Sequence, residues 1–153
     1  MMIIGSDFID NNASFTTSAK RNGAKVFVKA YAASGVDENT PAVIQFMGSG
    51  YNATAIAASL YGYIGVPEGT QSVGAGSWGW FQIRGPVEDV QASAAEAVGS
   101  VGHSVAWTGG TLYASSSANL GIVTAGQIGV LTQLANASTT LNIYLTGVWA
   151  TPK

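Results

Sequence analysis

The side chains best suited to chemistry alternate along the stretch SWGWFQIRG, from Ser77 to Gly85. Alternate side chains of a β-strand point to the same face, so a strand here would place two indoles, an amide and a guanidinium together. Phe81 and Ile83 fall on the opposite face, which we predict to be the core side. The polar face could dock on a second sheet or subunit, where its amide and guanidinium would donate to carbonyl or carboxylate oxygens. Its members are Trp78, Trp80, Gln82 and Arg84.

Aromatic side chains are the largest set of potential binding groups, with 4 tryptophans and 6 tyrosines. Such rings can stack on a sugar, or they can anchor a core or a subunit interface with their polar atom at the rim. We favour a core or interface role for Trp78 and Trp80 and keep glycan binding as the alternative.

The single histidine, His103, would have to serve in any Ser-His-acid hydrolase. Ser100 or Ser104 would then be the nucleophile. The orienting acid would be Glu88 or Asp89. These two carboxylates do not form a catalytic acid-base pair with each other, because adjacent strand residues point to opposite faces. The chain has no G-x-S-x-G motif. We therefore predict no catalytic residues and a protein that is not an enzyme.

Cofactor and metal chemistry has little support in the sequence. The chain has no cysteine, which excludes disulfides, zinc-thiolate sites and iron–sulfur clusters, and one histidine is too few for a conventional zinc site. Gly74, Gly76 and Gly79 match G-x-G-x-x-G, but a predicted strand follows them instead of the helix that a dinucleotide site needs. We predict no cofactor and no metal ion.

Charge is scarce and unevenly placed in the 153-residue chain. Only 9% of the residues are charged, and the stretch 97–152 contains no Asp, Glu, Lys or Arg. A surface of hydroxyl and amide groups avoids the desolvation cost of charges, so it suits a protein that is packed against neighbours. A robust secreted β domain with a neutral face would fit this composition equally well.

The net charge of -2 argues against a nucleic-acid partner, and no apolar run is long enough to span a bilayer, so we predict neither nucleic-acid nor membrane binding. Four of the six basic residues nevertheless cluster near the start of the chain: Lys20, Arg21, Lys25 and Lys29.

These basic residues fall in a predicted hairpin, ASFTTSAKRNGAKVFVKAY, whose two runs are joined by Asn22-Gly23. That dipeptide favours a type I′ turn. In the second strand Val26 and Val28 would share an aliphatic face. The other face would be basic and aromatic, with Lys25, Phe27, Lys29 and Tyr31.

Short β-prone runs separated by glycine-rich turns continue to the end of the chain, and Gly85-Pro86 is predicted to stop the strand that precedes it. The pattern predicts an all-β protein, a compact antiparallel β-sandwich or β-barrel of about eight to ten short strands. We expect one domain over residues 1–153, with an N-terminal arm and hairpin in 1–35 and the sandwich or barrel in 36–153.

The stretch SWGWFQIRGPV resembles a motif of the form YGWVQVRG, followed by Pro or a hydrophobic residue, that small virion proteins of tailed bacteriophages carry. The resemblance covers 61–149, where the runs AEAVGSVGHSVAW, LGIVTAG, QIGVLTQLA and TLNIYLTG also resemble the short strands of that group. The N-terminal hairpin has no counterpart in it.

The resemblance implies a capsid decoration, or cement, protein: a β-rich subunit, often a homotrimer, bound in many copies to the outer surface of the phage head. Its partners would be the major capsid protein and itself. The basic hairpin would face an acidic capsid patch, and the uncharged C-terminal half would form core and trimer surfaces. The candidate interface residues are Lys20, Arg21, Lys25, Phe27, Lys29, Trp78, Trp80, Gln82 and Arg84.

A carbohydrate-binding β-sandwich that acts as a head fibre or tail accessory is the alternative. The two hypotheses place different demands on Trp78 and Trp80. A cement protein needs both indoles buried, whereas a glycan-binding protein needs at least one accessible.

Overall fold

All regular elements in the described part of the chain are β-strands, which confirms the all-β prediction. The computed structural model describes residues 19–48, 50–55, 62–69, 71–92, 98–108, 111–114, 127–136, 139–147 and 149–150. The strands are β1 (Ala19–Asn22), β2 (Lys25–Ala32), β3 (Ala42–Phe46), β4 (Tyr51–Ala55), β5 (Gly62–Pro67), β6 (Ser77–Gln91), β7 (Val98–Gly99), β8 (Ser104–Thr108), β9 (Thr111–Ala114), β10 (Gln127–Leu131), β11 (Ala135–Asn136), β12 (Thr140–Thr146) and β13 (Trp149–Ala150). The N-terminal arm before Ala19 and the run LGIVTAG lie outside the described residues.

Five strands close into a barrel in the order β2, β4, β3, β5, β6. The ring closes between β2 and β6, where Ala32 lies opposite Ser77 and Val26 opposite Arg84. One pair departs from the predicted antiparallel arrangement, because β2 and β4 run parallel. A parallel pair needs a crossover connection, and the segment that contains β3 supplies it. The second strand of the N-terminal hairpin is therefore one of the barrel strands.

The 15-residue strand β6 belongs to two layers of the molecule. Its first part pairs with β2 and β5 in the barrel, and its second part, 84–91, pairs with β12. From β12 the same sheet continues through β10 and β8 to β9, with antiparallel pairing throughout. This part packs back on the barrel as a second layer, and together with 84–91 we call it the second sheet. The short strands β7 and β11 form a separate ribbon, and β13 pairs with β5.

Two hydrophobic clusters follow from this layering. Side chains that point into the barrel form the first cluster: Val28, Ala30, Ala32, Val36, Ala42, Ile44, Ala53, Phe81 and Ile83. Alternation along β3 and β5 sends three aliphatic side chains outward, and we call Val43, Ile64 and Val66 the covered face. The second sheet packs on this face with Val90, Val105, Leu112, Ile128, Leu131, Leu141, Ile143 and Leu145.

The N-terminal hairpin forms as predicted, but its turn lies one residue later. Asn22 is opposite Lys25, so the two-residue loop is Gly23-Ala24 instead of Asn22-Gly23. Only Gly23 has a positive φ, at 57°. A positive φ at the first loop position alone is the pattern of a type II′ turn, whereas the predicted type I′ turn requires two.

The prediction that Gly85-Pro86 ends its strand is wrong, because β6 continues to Gln91. Gly85 bends the strand with a φ of 97°, and a Cβ atom there would lie 2.7 Å from the Ala24 carbonyl oxygen. The Gln82 amide donates to the carbonyl oxygens of Arg84 (3.1 Å) and Pro86 (2.8 Å). The positive φ of Gly85 and the two hydrogen bonds of the Gln82 amide thus allow the strand to bend and continue where the sequence predicted its end.

Candidate functional site

The outward side chains of β1, β2 and the first part of β6 form one surface, which we call the aromatic face. In the register of β2 and β6, Tyr31 lies opposite Trp78 and Lys29 opposite Trp80. This arrangement confirms the predicted division into a core side and a polar side for Phe27 to Tyr31 and for Trp78 to Gln82. A register shift between Val26 and Phe27 interrupts it, because Val26, predicted on the core side, lies opposite Arg84, predicted on the polar side. The aromatic face consists of Lys20, Phe27, Lys29, Tyr31, Trp78, Trp80 and Gln82.

The Lys20 side chain lies across the aromatic face and covers part of two of its rings. Its Nζ atom lies 4.7 Å from the centre of the Trp80 ring and 5.1 Å from that of Phe27. The same atom forms an ion pair of 2.5 Å with the Glu68 carboxylate, on the residue after β5. A cation over a ring at a partly exposed site contributes roughly 0.5–1 kcal/mol, and its stem covers apolar surface as well. Lys20 thereby helps to bury Phe27, which is 3% exposed.

The predicted interface residues differ in how far they reach the surface. Phe27, Lys29 and Gln82 are only 3%, 8% and 5% exposed, so the chain itself already covers them. The Gln82 amide nitrogen donates to carbonyl oxygens of its own strand. Arg21 and Arg84 are exposed, and the Arg21 guanidinium donates to the Gly23 carbonyl oxygen at 2.8 Å. Lys20, Lys25, Trp78 and Trp80 are half-buried.

Beside the two tryptophans lies a groove of about 340 Å³ between the start of β6 and the loop that follows β5. We call it the Trp groove. Sequence reasoning singled out Trp78 and Trp80 but missed the loop side chains, because long-range hydrogen bonds position this loop. The groove is lined by Glu68, Gln71, Ser72, Val73, Gly74, Ser77, Trp78, Gly79 and Trp80.

The loop wall of the Trp groove is fixed to the barrel at several points. The backbones of Val36 and Val73 exchange two hydrogen bonds of 2.8 Å, and the Glu38 N–H donates to the Ser72 hydroxyl oxygen at 3.1 Å. The Val73 side chain lies so close to Gly79 that a Cβ atom there would collide with it. Glycine at position 79 is therefore a steric requirement of the groove.

Backbone groups of β6 also face the Trp groove. The Trp80 carbonyl oxygen accepts a hydrogen bond of 2.8 Å from the Glu68 N–H, so it points away from β2. Backbone polar groups two residues apart in a strand point the same way, so Trp78 directs its N–H and C=O toward the groove as well. β5 pairs with β6 only at Phe81 and Gln82, which leaves room for a ligand beside Trp78.

Three of the residues considered for catalysis, Ser100, His103 and Asp89, take part in hydrogen bonds that fix local structure. His103 accepts a hydrogen bond of 3.3 Å at Nδ1 from the Ser100 N–H, within the turn before β8. Asp89 lies in an irregular part of β6 with a φ of 53°, and its N–H donates to the Asn142 side-chain oxygen at 2.8 Å. Glu88 and Asp89 are both exposed. Across the residues that the structure describes, no cluster of three or more His, Cys, Asp or Glu side chains could hold a metal ion.

Protein-family models and curated proteins give no relative from which a function could be transferred. No protein-family model matches the chain, and no curated protein matches it. Among the described residues, no helix has the length and apolar character needed to cross a membrane. The function must therefore be argued from the aromatic face, the Trp groove and the distribution of charge.

Proposed function

We propose that this protein is a structural virion protein that binds the outer surface of a tailed-phage capsid in many copies and stabilises the head. Its partners are the major capsid protein and two further copies of itself. A protein that binds only the assembled shell stabilises it by mass action, and contacts to several shell subunits add avidity. The SWGWFQIRG motif, on which the resemblance to virion proteins rests, begins the strand shared by both layers, as expected of a motif that specifies a fold.

The observation that carries the proposal is the uncharged part of the second sheet, formed by β12, β10, β8 and β9, with apolar side chains exposed at one end. Residues 97–152 contain no charged side chain, yet Val101 and Leu134 are 65% and 66% exposed. The Gly102 N–H donates to the Leu131 carbonyl oxygen at 2.9 Å, which places the two side chains at the same end of the sheet. Apolar side chains without neighbouring charges suit a permanent subunit contact, and we assign this end to the homotrimer.

The hairpin turn between β1 and β2 suits the capsid contact. Arg21 is exposed and Lys25 is half-buried, and they are on the two sides of the turn. Lys29 was grouped with them in the sequence, but at 8% exposure it is unsuited to direct contact. The exposed guanidinium can pair with carboxylates of an acidic shell surface.

The decisive experiment is the copy number of this protein in purified phage particles, measured by quantitative mass spectrometry against the most abundant shell protein. The proposal expects a ratio near that of the shell subunit. A few copies per particle would indicate a fibre or tail accessory, and absence from the particles would exclude a virion role.

The assigned contacts have separate tests. Native mass spectrometry of the purified chain should show a trimer that Leu134→Asp dissociates, while Gln127→Asp, at an exposed polar position on β10, leaves it intact. Arg21→Glu with Lys25→Glu should weaken cosedimentation with capsids most strongly at low salt, because screening shortens the reach of exposed charges. Equal capsid binding by the wild-type protein and the double variant at every salt concentration would exclude the hairpin contact.

A further inference from the structure

We propose that the Trp groove binds a neutral saccharide, with a pyranose ring stacked on an indole. This inference concerns a ligand site and does not rest on the particle role proposed above. It follows the carbohydrate-binding alternative, which requires at least one accessible indole, and Trp78 and Trp80 are half-buried and line the groove. The groove volume of about 340 Å³ falls within the range of small-molecule sites, roughly 300–1,000 Å³.

The two indoles are held in place by the chain itself. The Tyr31 and Trp78 rings lie 5.6 Å apart at an interplanar angle of 56°, and the Lys20 ammonium lies over Trp80. Both tryptophans also line the groove, and we assign the stacking surface to one of their indoles. A pyranose presents C–H groups on its faces and hydroxyls around its edge, which matches a flat apolar ring bordered by polar groups.

The border of the groove supplies the polar groups that a sugar requires. Glu68 offers carboxylate oxygens, Gln71 an amide, and Ser72 and Ser77 offer hydroxyls. These groups include both donors and acceptors, and sugar hydroxyls act as both. The backbone of Trp78 adds one N–H and one C=O that point the same way.

The charge balance of the groove favours a neutral ligand over an ion. Glu68 is the one charged residue in the lining, and its carboxylate is paired with Lys20 at 2.5 Å. An anion would meet this carboxylate, and a cation would have to displace Lys20 from both Glu68 and Trp80. A saccharide needs neither change.

The groove is also preorganised. Hydrogen bonds from Val36 to Val73 and from Glu38 to Ser72 fix the loop wall, and Val73 packs against Gly79. A ligand that enters a fixed site avoids the entropy cost of ordering it.

The test is a titration of the full chain with maltose, cellobiose, lactose and N,N′-diacetylchitobiose, followed by the indole N–H signals in two-dimensional NMR. We expect at least one disaccharide to cause saturable shifts of the Trp78 and Trp80 signals, assigned with Trp78→Phe and Trp80→Phe. Gln71→Ala should weaken this binding roughly two- to tenfold, as for the loss of one hydrogen bond. The matched Gln127→Ala, on exposed β10, should leave the affinity unchanged.

Three results would overturn the inference. The first is the absence of saturable shifts with all four disaccharides. The second is binding that Gln71→Ala and Trp78→Ala both leave unchanged, and because Gln71 is an exposed loop residue its variant remains informative if Trp78→Ala does not fold. The third is saturable binding of tetramethylammonium without binding of any sugar, which would make the groove a cation site. None of these results bears on the copy number in particles.

Discussion

The barrel covers two parts of its outer surface by different means. On the covered face, Val43, Ile64 and Val66 carry only aliphatic groups, and the second sheet packs over them. On the aromatic face no sheet is present in the described residues, and long side chains cover one another. Lys20 lies over Phe27 and Trp80, and Lys29 is nearly buried beside them.

The difference shows how side-chain type decides where a binding site can form. Short aliphatic side chains lose contact with water only when another layer covers them, and full burial of such a side chain contributes roughly 1.5–3 kcal/mol. Aromatic and amphipathic side chains cover apolar surface themselves and keep polar atoms at the edge. The covered face is therefore closed to ligands, whereas the aromatic face ends in a groove.

The largest expected effect on stability comes from removing a buried side chain of the second sheet that packs over the covered face. Leu131→Ala removes a side chain that is 1% exposed and should lower the free energy of unfolding by roughly 2–5 kcal/mol. Leu134→Ala, three residues later and 66% exposed, should change it by no more than about 0.5 kcal/mol. Urea denaturation at a concentration where the chain is monomeric measures both. Equal losses would mean that the second sheet does not pack as described.

Gly85 lies where β6 passes from the aromatic face to the part that pairs with β12 of the second sheet, and its replacement should disturb both. Gly85→Ala should cost roughly 1–3 kcal/mol from backbone strain, and the close approach of the Ala24 carbonyl adds to this. Gly102→Ala is the control, because its φ is also positive, at 85°, but nothing lies within 4 Å of the added methyl group. Thermal unfolding should show the smaller loss for Gly102→Ala, and the reverse order would contradict the packing of the hairpin turn on β6.

A smaller effect is expected when the aromatic face loses the Lys20 ammonium. Lys20→Met keeps much of the apolar stem but removes the charge over two rings, at an expected cost of roughly 0.5–1 kcal/mol. A double-mutant cycle with Glu68→Gln should give a coupling of about 0.2–1 kcal/mol that decreases as salt is added, since both side chains are partly exposed. A coupling near zero at low salt would show that rings, and not the carboxylate, position Lys20.

The smallest effect concerns Tyr51, which packs against the barrel cluster and belongs to neither outer face. Burial raises the pKa of its phenol above the usual 10.0, and Tyr63 adds to the shift. The unfolded chain therefore loses this proton before the folded chain does, so stability should fall as the pH rises above about 10. Urea denaturation at rising pH should show a shallower fall for Tyr51→Phe. An unchanged slope would assign the alkaline loss to other groups.

Alternation in the sequence was sufficient to predict the faces of β2 from Phe27 to Tyr31 and of β6 from Trp78 to Ile83. Val28 and Phe81 point into the barrel as expected, and Tyr31 and Trp78 meet on the other side. These predictions succeeded because side-chain direction in a strand depends only on position along the chain.

Features that depend on distant residues could not be predicted from the same pattern. Gly85-Pro86 looks like a stop because the Gln82 amide and the approach of Ala24 to the bend are visible only in three dimensions. The parallel pair β2–β4 and the loop wall of the Trp groove likewise depend on contacts between separate segments. Local patterns contain no information about such contacts.

Because β6 pairs with strands of both the barrel and the second sheet, it also limits the order in which the chain can fold. During synthesis β2 to β5 emerge first, but the ring has no closing strand until Ser77–Gln91 follows, and the second sheet needs the same segment as its first strand. Closure between residues so distant in sequence makes folding slow, because the chain must lose loop entropy before these contacts form. A nascent chain that stalls before Ser77 would expose open strand edges and should aggregate instead of folding as a smaller barrel.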